Sequence, residues 1–295
     1  MKVRVGFGFG ISAATGMSAD AFWTAVDTLE AQGWDSLWLS ERATGDVAGP
    51  IAGLAAVAGR TRKLKLGHSV LVVPGRNPLL LAKELATIDL LSAGRFVAAF
   101  GLGAEEPRER EAYGVVKGEA GAMTEEAVIL MKRLWSEDRV THEGRFYRVN
   151  DVALRPRPHR RPHPDVWFGG HSKAALRRVA RLGEGWLPSF LAPAEYAGMV
   201  GAIRAGATEA GRAIDDEHYG ALLAYLGPES SAAAETFLAA IRARRPEVEP
   251  RELVATSETD LREKLERFVE AGASKFVIVP LTAPRDWESE LAKLH

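Results

Sequence analysis

Gly169-Gly170-His171-Ser172 follows an apolar Val166-Trp167-Phe168 run and precedes a helical pattern that starts at Ser172. Two residues without side chains at the head of a helix leave backbone N–H groups open to an anion, phosphate above all. Ser172 can add a hydroxyl and His171 a ring donor. A plain strand-to-helix turn with Ser172 as N-cap would use the same residues.

Other segments carry weaker signals of the same kind. Gly101-Leu102-Gly103-Ala104 ends another apolar run with small residues, which lets a flat ligand approach or merely permits a turn. Gly67-His68-Ser69-Val70 places glycine, histidine and serine inside what reads as a core strand, and such local conflicts mark bulges and functional sites. Glu41-Arg42 closes another strand with two charges, which could also be a surface ion pair of little worth. His159 and His163 are separated by prolines that preclude the helix needed to aim both at one metal, so a solvated polyproline-like loop is expected. No HExxH, P-loop or nucleophile elbow occurs.

These residues need a frame. Strand-like and helical patterns alternate along the chain. Ser18 caps a helix that Gly33 stops, Asn77-Pro78 opens another, and Pro50 a third. Segments 2–9, 34–40, 64–73, 96–100, 166–169, 185–188, 219–226 and 274–281 read as strands, and 140–152 as a hairpin turning at Glu143-Gly144. Eight strands alternating with helices predict a parallel sheet, and the length of 295 residues fits a closed (β/α)8 TIM barrel, with a doubly wound open sheet as the rival. One domain over 1–295 is expected, with insertions at about 104–123 and 140–165. Loops after strands then form the working end.

Composition narrows the chemistry. A net charge of −1 argues against nucleic acid or an anionic membrane as partner. The absence of cysteine excludes disulfides, thiolate metal sites and cysteine nucleophiles. No signal-peptide pattern or spanning apolar segment is evident, so a cytoplasmic protein acting on a small molecule is expected, without a metal. A homodimer is compatible with the sequence.

Taken together, GWDSLWLSER (33–42), LGHSVLVVPGRNPLLLAKELATIDLLSAGR (66–95), FGLG (100–103), LWSE with HEGRFY (134–147), and VWFGGHS with ALRRVARLGEGWLP (166–188) resemble the bacterial luciferase-like superfamily, in its coenzyme F420-dependent oxidoreductase branch. The resemblance implies a (β/α)8 barrel with an insertion over its C-terminal mouth and a deazaflavin or flavin at the strand ends. It implies a cofactor phosphate at Gly169, Gly170, His171 and Ser172, and a non-prolyl cis peptide at Ser69–Val70 behind the ring. Further cofactor contacts are expected at Glu41, Gly103, Ala104, Glu106, Gly185 and Trp186. Many relatives in that branch end the second strand in Asp-His; here Glu41-Arg42 stands instead. Glutamate can replace the acid, but arginine keeps its charge and cannot act as a base. The catalytic candidates are therefore Arg42, Glu41 and His68, with Glu105 and Glu106 as other titratable groups.

The expected activity is hydride transfer between F420 and a small organic substrate. An FMN-dependent monooxygenase is the alternative on the same fold. More remote are a lyase or isomerase of a phosphorylated substrate and a non-catalytic flavin-binding protein.

Overall fold

The computed structural model describes residues 2–10, 18–43, 47–103, 107–226 and 232–294. The first part of the chain runs β1 (Arg4–Phe9), α1 (Ala19–Gln32), β2 (Ser36–Leu39), α2 (Pro50–Arg60), β3 (Lys65–His68), β4 (Leu71–Val72), α3 (Pro78–Leu91) and β5 (Phe96–Gly101). The middle holds α4 (Pro107–Ala112), α5 (Ala120–Ser136), the hairpin β6 (Val140–Glu143) and β7 (Arg148–Val152), then β8 (Asp165–Phe168), α6 (Lys173–Leu182), β9 (Gly185–Trp186) and α7 (Pro193–Glu209). The last part comprises β10 (Gly220–Tyr225), α8 (Ala232–Arg244), α9 (Pro250–Leu253), β11 (Val254–Ala255), α10 (Glu258–Glu270), β12 (Lys275–Pro280) and α11 (Trp287–Leu294).

The helices begin and end where local chemistry dictates. Ser18 Oγ accepts the Ala21 N–H at 3.2 Å, and Gly33 closes α1 at φ +80°. Asn77 Oδ1 accepts from both Leu79 and Leu80 ahead of Pro78.

Eight strands pair in parallel around a ring in the order β1, β2, β3, β5, β8, β9, β10, β12 and back to β1. Single bridges at Trp186–Tyr219 and Ser189–Leu222 join β9 to β10 and close it. This is the expected (β/α)8 barrel. Helices α2, α3, α5, α6 and α7 pack on one another in chain order around the outside. The short β4, β11, α4 and α9 were not expected. The long third strand is instead broken between His68 and Leu71.

Alternation sends one set of side chains outward to the helices, among them Phe7, Leu37, Leu66, Phe96 and Phe168. The other set meets across the ring, which only interior groups can do: Trp38, Ala99, Trp167, Leu187, Leu222, Val277 and Val279. The two interior tryptophans have ring centroids 6.3 Å apart. Each fills a notch left by glycine, for a Cβ on Gly67 would lie 2.3 Å from the Trp38 ring and one on Gly185 2.3 Å from that of Trp167. Below them, at the strand N-termini, Asp35 pairs with Lys275 and with Lys65. Burial and the nearby charge of Arg4 bring the Lys275 ammonium down to about 7.

The hairpin lies along α5. Glu126 of that helix accepts the N–H groups of Arg145, Phe146 and Tyr147 at its tip, at 2.8 to 3.1 Å. Arg145 also pairs with Glu119.

Candidate active site

At the strand C-termini the break between β3 and β4 contains a cis peptide at Ser69–Val70, as the resemblance implied. Ser40 Oγ donates to the Ser69 carbonyl oxygen at 2.9 Å, and the Glu41 N–H donates to that of Val70 at 3.2 Å. Glu41 then reaches across the break. Its Oε2 accepts the Val72 N–H at 2.7 Å and its Oε1 pairs with Arg76, whose Nε donates to the Val72 carbonyl at 2.9 Å. Burial pushes the Glu41 carboxyl up, opposed by the Val72 N–H and the Arg76 charge.

Val70 faces bare backbone on two sides. A Cβ on Gly101 would lie 2.4 Å from Val70 Cγ2, and one on Gly169 would lie 3.1 Å from its Cγ1. Gly103, at φ +95°, approaches Val72 in the same way. The ends of β5 and β8 thus form a side-chain-free floor around Val70, stitched together by the Gly169 N–H donating to the Phe100 carbonyl at 2.9 Å. A planar ring system fits such a floor.

The floor leads into the turn before α6. Gly170 adopts φ +82°, which glycine supplies without steric cost, and Ser172 Oγ caps the helix through the Ala175 N–H at 3.2 Å. Among the described residues, the N–H groups of Gly170, Lys173 and Ala174 have no partner within the chain. They supply donors for an anion at a helix N-terminus. His171 and Ser172 are exposed beside them. The donors and the floor fit a cofactor of planar ring and phosphate, which these residues would hold.

Not every expected residue faces this surface. Trp186 is 0% exposed, stacked on Tyr196 at 4.9 Å, and its Nε1 donates to the Gly170 carbonyl at 2.8 Å. It braces the turn from beneath, and Gly185 is the notch for Trp167. His68 is 0% exposed and lies on the Leu66 side of β3, in edge contact with Phe96 at 5.1 Å. Neither ring nitrogen has a hydrogen-bond partner, and burial with the Arg76 charge lowers its pKa to about 3. It is a neutral core group outside the mouth, which corrects its expected catalytic part. Arg42 is exposed at the end of β2. Ala104, Glu105 and Glu106 lie outside the described residues.

Sequence reasoning missed Arg76. It stands in the PGRNP turn, one residue before the Asn77 cap, and a cation there is a ready partner for a buried acid on the neighbouring strand. Among the described residues, no three His, Asp or Glu side chains converge as a metal site. No helix among them is long and apolar enough to cross a membrane.

Residues 4–277 match the model of the luciferase-like monooxygenase family, and the chain belongs to that family. It is 32% identical over 157 residues to a phthiodiolone/phenolphthiodiolone dimycocerosates ketoreductase of Mycobacterium kansasii, covering 52% of this chain and 42% of the relative. It is 34% identical over 168 residues to an F420-dependent glucose-6-phosphate dehydrogenase of Kineococcus radiotolerans, covering 54% and 49%. The matched stretch spans about half the length of these curated relatives. A monooxygenase of Streptomyces bottropensis shares the fold across 99% of this chain and 96% of its own, with a TM-score of 0.83 at 24% identity. The family is one of oxidoreductases and monooxygenases.

Proposed function

We propose that the protein is an F420-dependent oxidoreductase that moves a hydride between the deazaflavin and a small organic substrate. The observation that carries this reading is the glycine floor around Val70 opening directly onto unpartnered N–H groups at the head of α6. The F420-dependent relative supports the choice of cofactor. When bound, the deazaflavin supplies the two-electron hydride chemistry. The chain supplies position and charge. Gly170, Lys173 and Ala174 hold the phosphate through backbone N–H groups, and Val70 backs the ring. The Glu41–Arg76 pair fixes the segment carrying Val70, and Arg42 offers a permanent cation to negative charge on the substrate.

An FMN-dependent monooxygenase is the second reading, favoured by the description of the family. Titration with F420 and with FMN, followed by quenching of ligand fluorescence, separates the two. Tighter binding of F420 is expected. Tighter binding of FMN, or binding of neither, overturns the proposal.

A further inference from the structure

The glycine floor occupies one side of the mouth, at the ends of β5 and β8 beside Val70. In the ring of eight strands β12 stands opposite β5, between β10 and β1. A ring system backed by Val70 meets its substrate on its other face, so the sector of β9, β10 and β12 confronts that substrate.

This sector is walled by carbon. Leu226 and Leu281 directly follow β10 and β12, and the Leu281 N–H donates to the Tyr225 carbonyl at 2.9 Å. Helix α8 brings Phe237 and Leu238 onto these strand ends, and β11 pairs with the last two residues of β10. Phe190, four residues beyond β9, completes the wall, its ring centroid 5.7 Å from that of Phe237. The end of β9 adjoins the floor, for a Cβ on Gly169 would lie 3.4 Å from the Leu187 carbonyl oxygen. Leu281 is buried, whereas Phe190, Leu226 and Phe237 are half-buried and leave apolar surface at the mouth.

Phe190 is held there against its own backbone preference. It sits at φ +56°, a region that bulky side chains seldom occupy. Arg245 fixes the turn, donating from Nη1 to the Phe190 carbonyl at 3.1 Å and from Nη2 to Glu195 at 2.7 Å. Backbone outliers of this kind gather at ligand sites.

The wall itself carries no charge. Arg245 is paired with Glu195 and Glu247, Arg242 with Glu249, and Arg285 has a partner of its own. Segments 11–17 and 227–231, which follow β1 and β10 in the chain, contain no lysine, arginine or histidine and a single acid, Glu229. An anionic substituent set against this wall would lose its water without gaining a counter-charge, which is costly.

We propose that the substrate is an uncharged carbonyl compound, or the matching alcohol, whose apolar body lies against Phe190, Leu226 and Phe237, and that Phe190 sets this preference. The proposal rests on the F420 reading for its hydride partner. In the reducing direction the carbonyl carbon gains the hydride of the reduced deazaflavin, the C=O π pair moves to oxygen, and that oxygen takes a proton from water. The negative charge that Arg42 meets is then the one that builds on this oxygen.

The test is calorimetric titration of the whole protein, saturated with oxidised F420, which cannot reduce the probes. If F420 does not bind, the same titration is run without it, so the two readings fail separately. The probes are 2-octanone and 7-oxooctanoate, which differ in a terminal methyl or carboxylate. Wild type should bind 2-octanone at least about tenfold tighter. Phe190→Arg should reverse that order and Phe190→Leu should preserve it. Phe190→Ala should weaken 2-octanone by about threefold or more with 7-oxooctanoate unchanged, and it decides the matter if the arginine variant does not fold. Equal affinities, a preference for the carboxylate, or binding of neither ketone by wild type overturns the proposal. A preference unmoved in folded Phe190→Arg or in Phe190→Ala overturns the part given to Phe190. Failure of F420 to bind, with the preference for 2-octanone intact, removes the F420 reading alone.

Discussion

The carboxylate of Glu41 and the guanidinium of Arg76 meet across the break between β3 and β4, with side-chain exposures of 9% and 28%. The acid expected to face the cofactor is thus held by the segment beneath it. Glu41→Ala should cost about 1–3 kcal/mol of stability, the scale of a buried hydrogen-bonded group left without its partner, and should weaken cofactor binding as Val70 loses its support. Arg76→Ala should act in the same direction, and the double variant should cost less than the sum. Chemical unfolding of the four proteins in the cycle measures this, and strictly additive losses would show that the pair does not act as a unit.

The same pair sets a dependence on pH. A carboxyl whose folded pKa is raised favours the protonated fold, so its contribution declines as pH rises through the folded value. Arg76 opposes that rise. Arg76→Ala should therefore lose stability more steeply than wild type as pH rises above the ordinary glutamate range. Parallel curves of unfolding midpoint against pH for the two proteins would refute it.

His68 has the opposite sign. Its pKa falls from 6.5 to about 3 on folding, so the unfolded chain takes a proton that the folded ring refuses. Stability is fully present above the unfolded value and declines as pH drops from there toward the folded one. At about pH 5 the loss from this group alone is about 2 kcal/mol. His68→Leu should remove that loss and flatten the acid side of the stability curve. An unchanged acid limb in a folded variant would mean the ring is not held neutral.

Gly170 combines a left-handed backbone with an open N–H. Gly170→Val should weaken cofactor binding by about tenfold or more, about 1.4 kcal/mol, with the fold retained. Gly170→Asn, whose side chain tolerates positive φ, should be less costly to stability. Equal cofactor affinity in wild type and a folded valine variant would move the phosphate elsewhere.

Arg42 is exposed beyond the end of β2, at the mouth. Arg42→Ala should slow turnover while leaving cofactor affinity within about threefold and the shape of the pH–rate profile unchanged. Wild-type turnover would reduce Arg42 to a surface group.

Much of the frame could be read from local signals. Ser18, Gly33, Asn77-Pro78 and Ser172 mark helix ends through bonds made within a few residues, and the turn at Gly169-Gly170 announces itself by composition. Contacts between distant segments were hidden. The partners Glu41 and Arg76 are joined only by the fold, and the break after His68 that lets Glu41 reach Val72 leaves no mark in the periodicity. Closure of the ring followed from the count of eight strand–helix units, but not the isolated bridges through which β9 meets β10.

The glycine notches inside the barrel also bear on how the chain finds its register. Trp38 is admitted only where β3 presents Gly67, and the flanking Leu66 and His68 point the other way. A slip of one residue between β2 and β3 would drive a leucine or histidine side chain into space the indole already fills. Trp167 examines β9 in the same manner through Gly185. The two indoles therefore proofread strand alignment on both sides of the ring, well below the loops that meet the ligand. Those loops are left free to diversify without disturbing the assembly of the barrel that carries them.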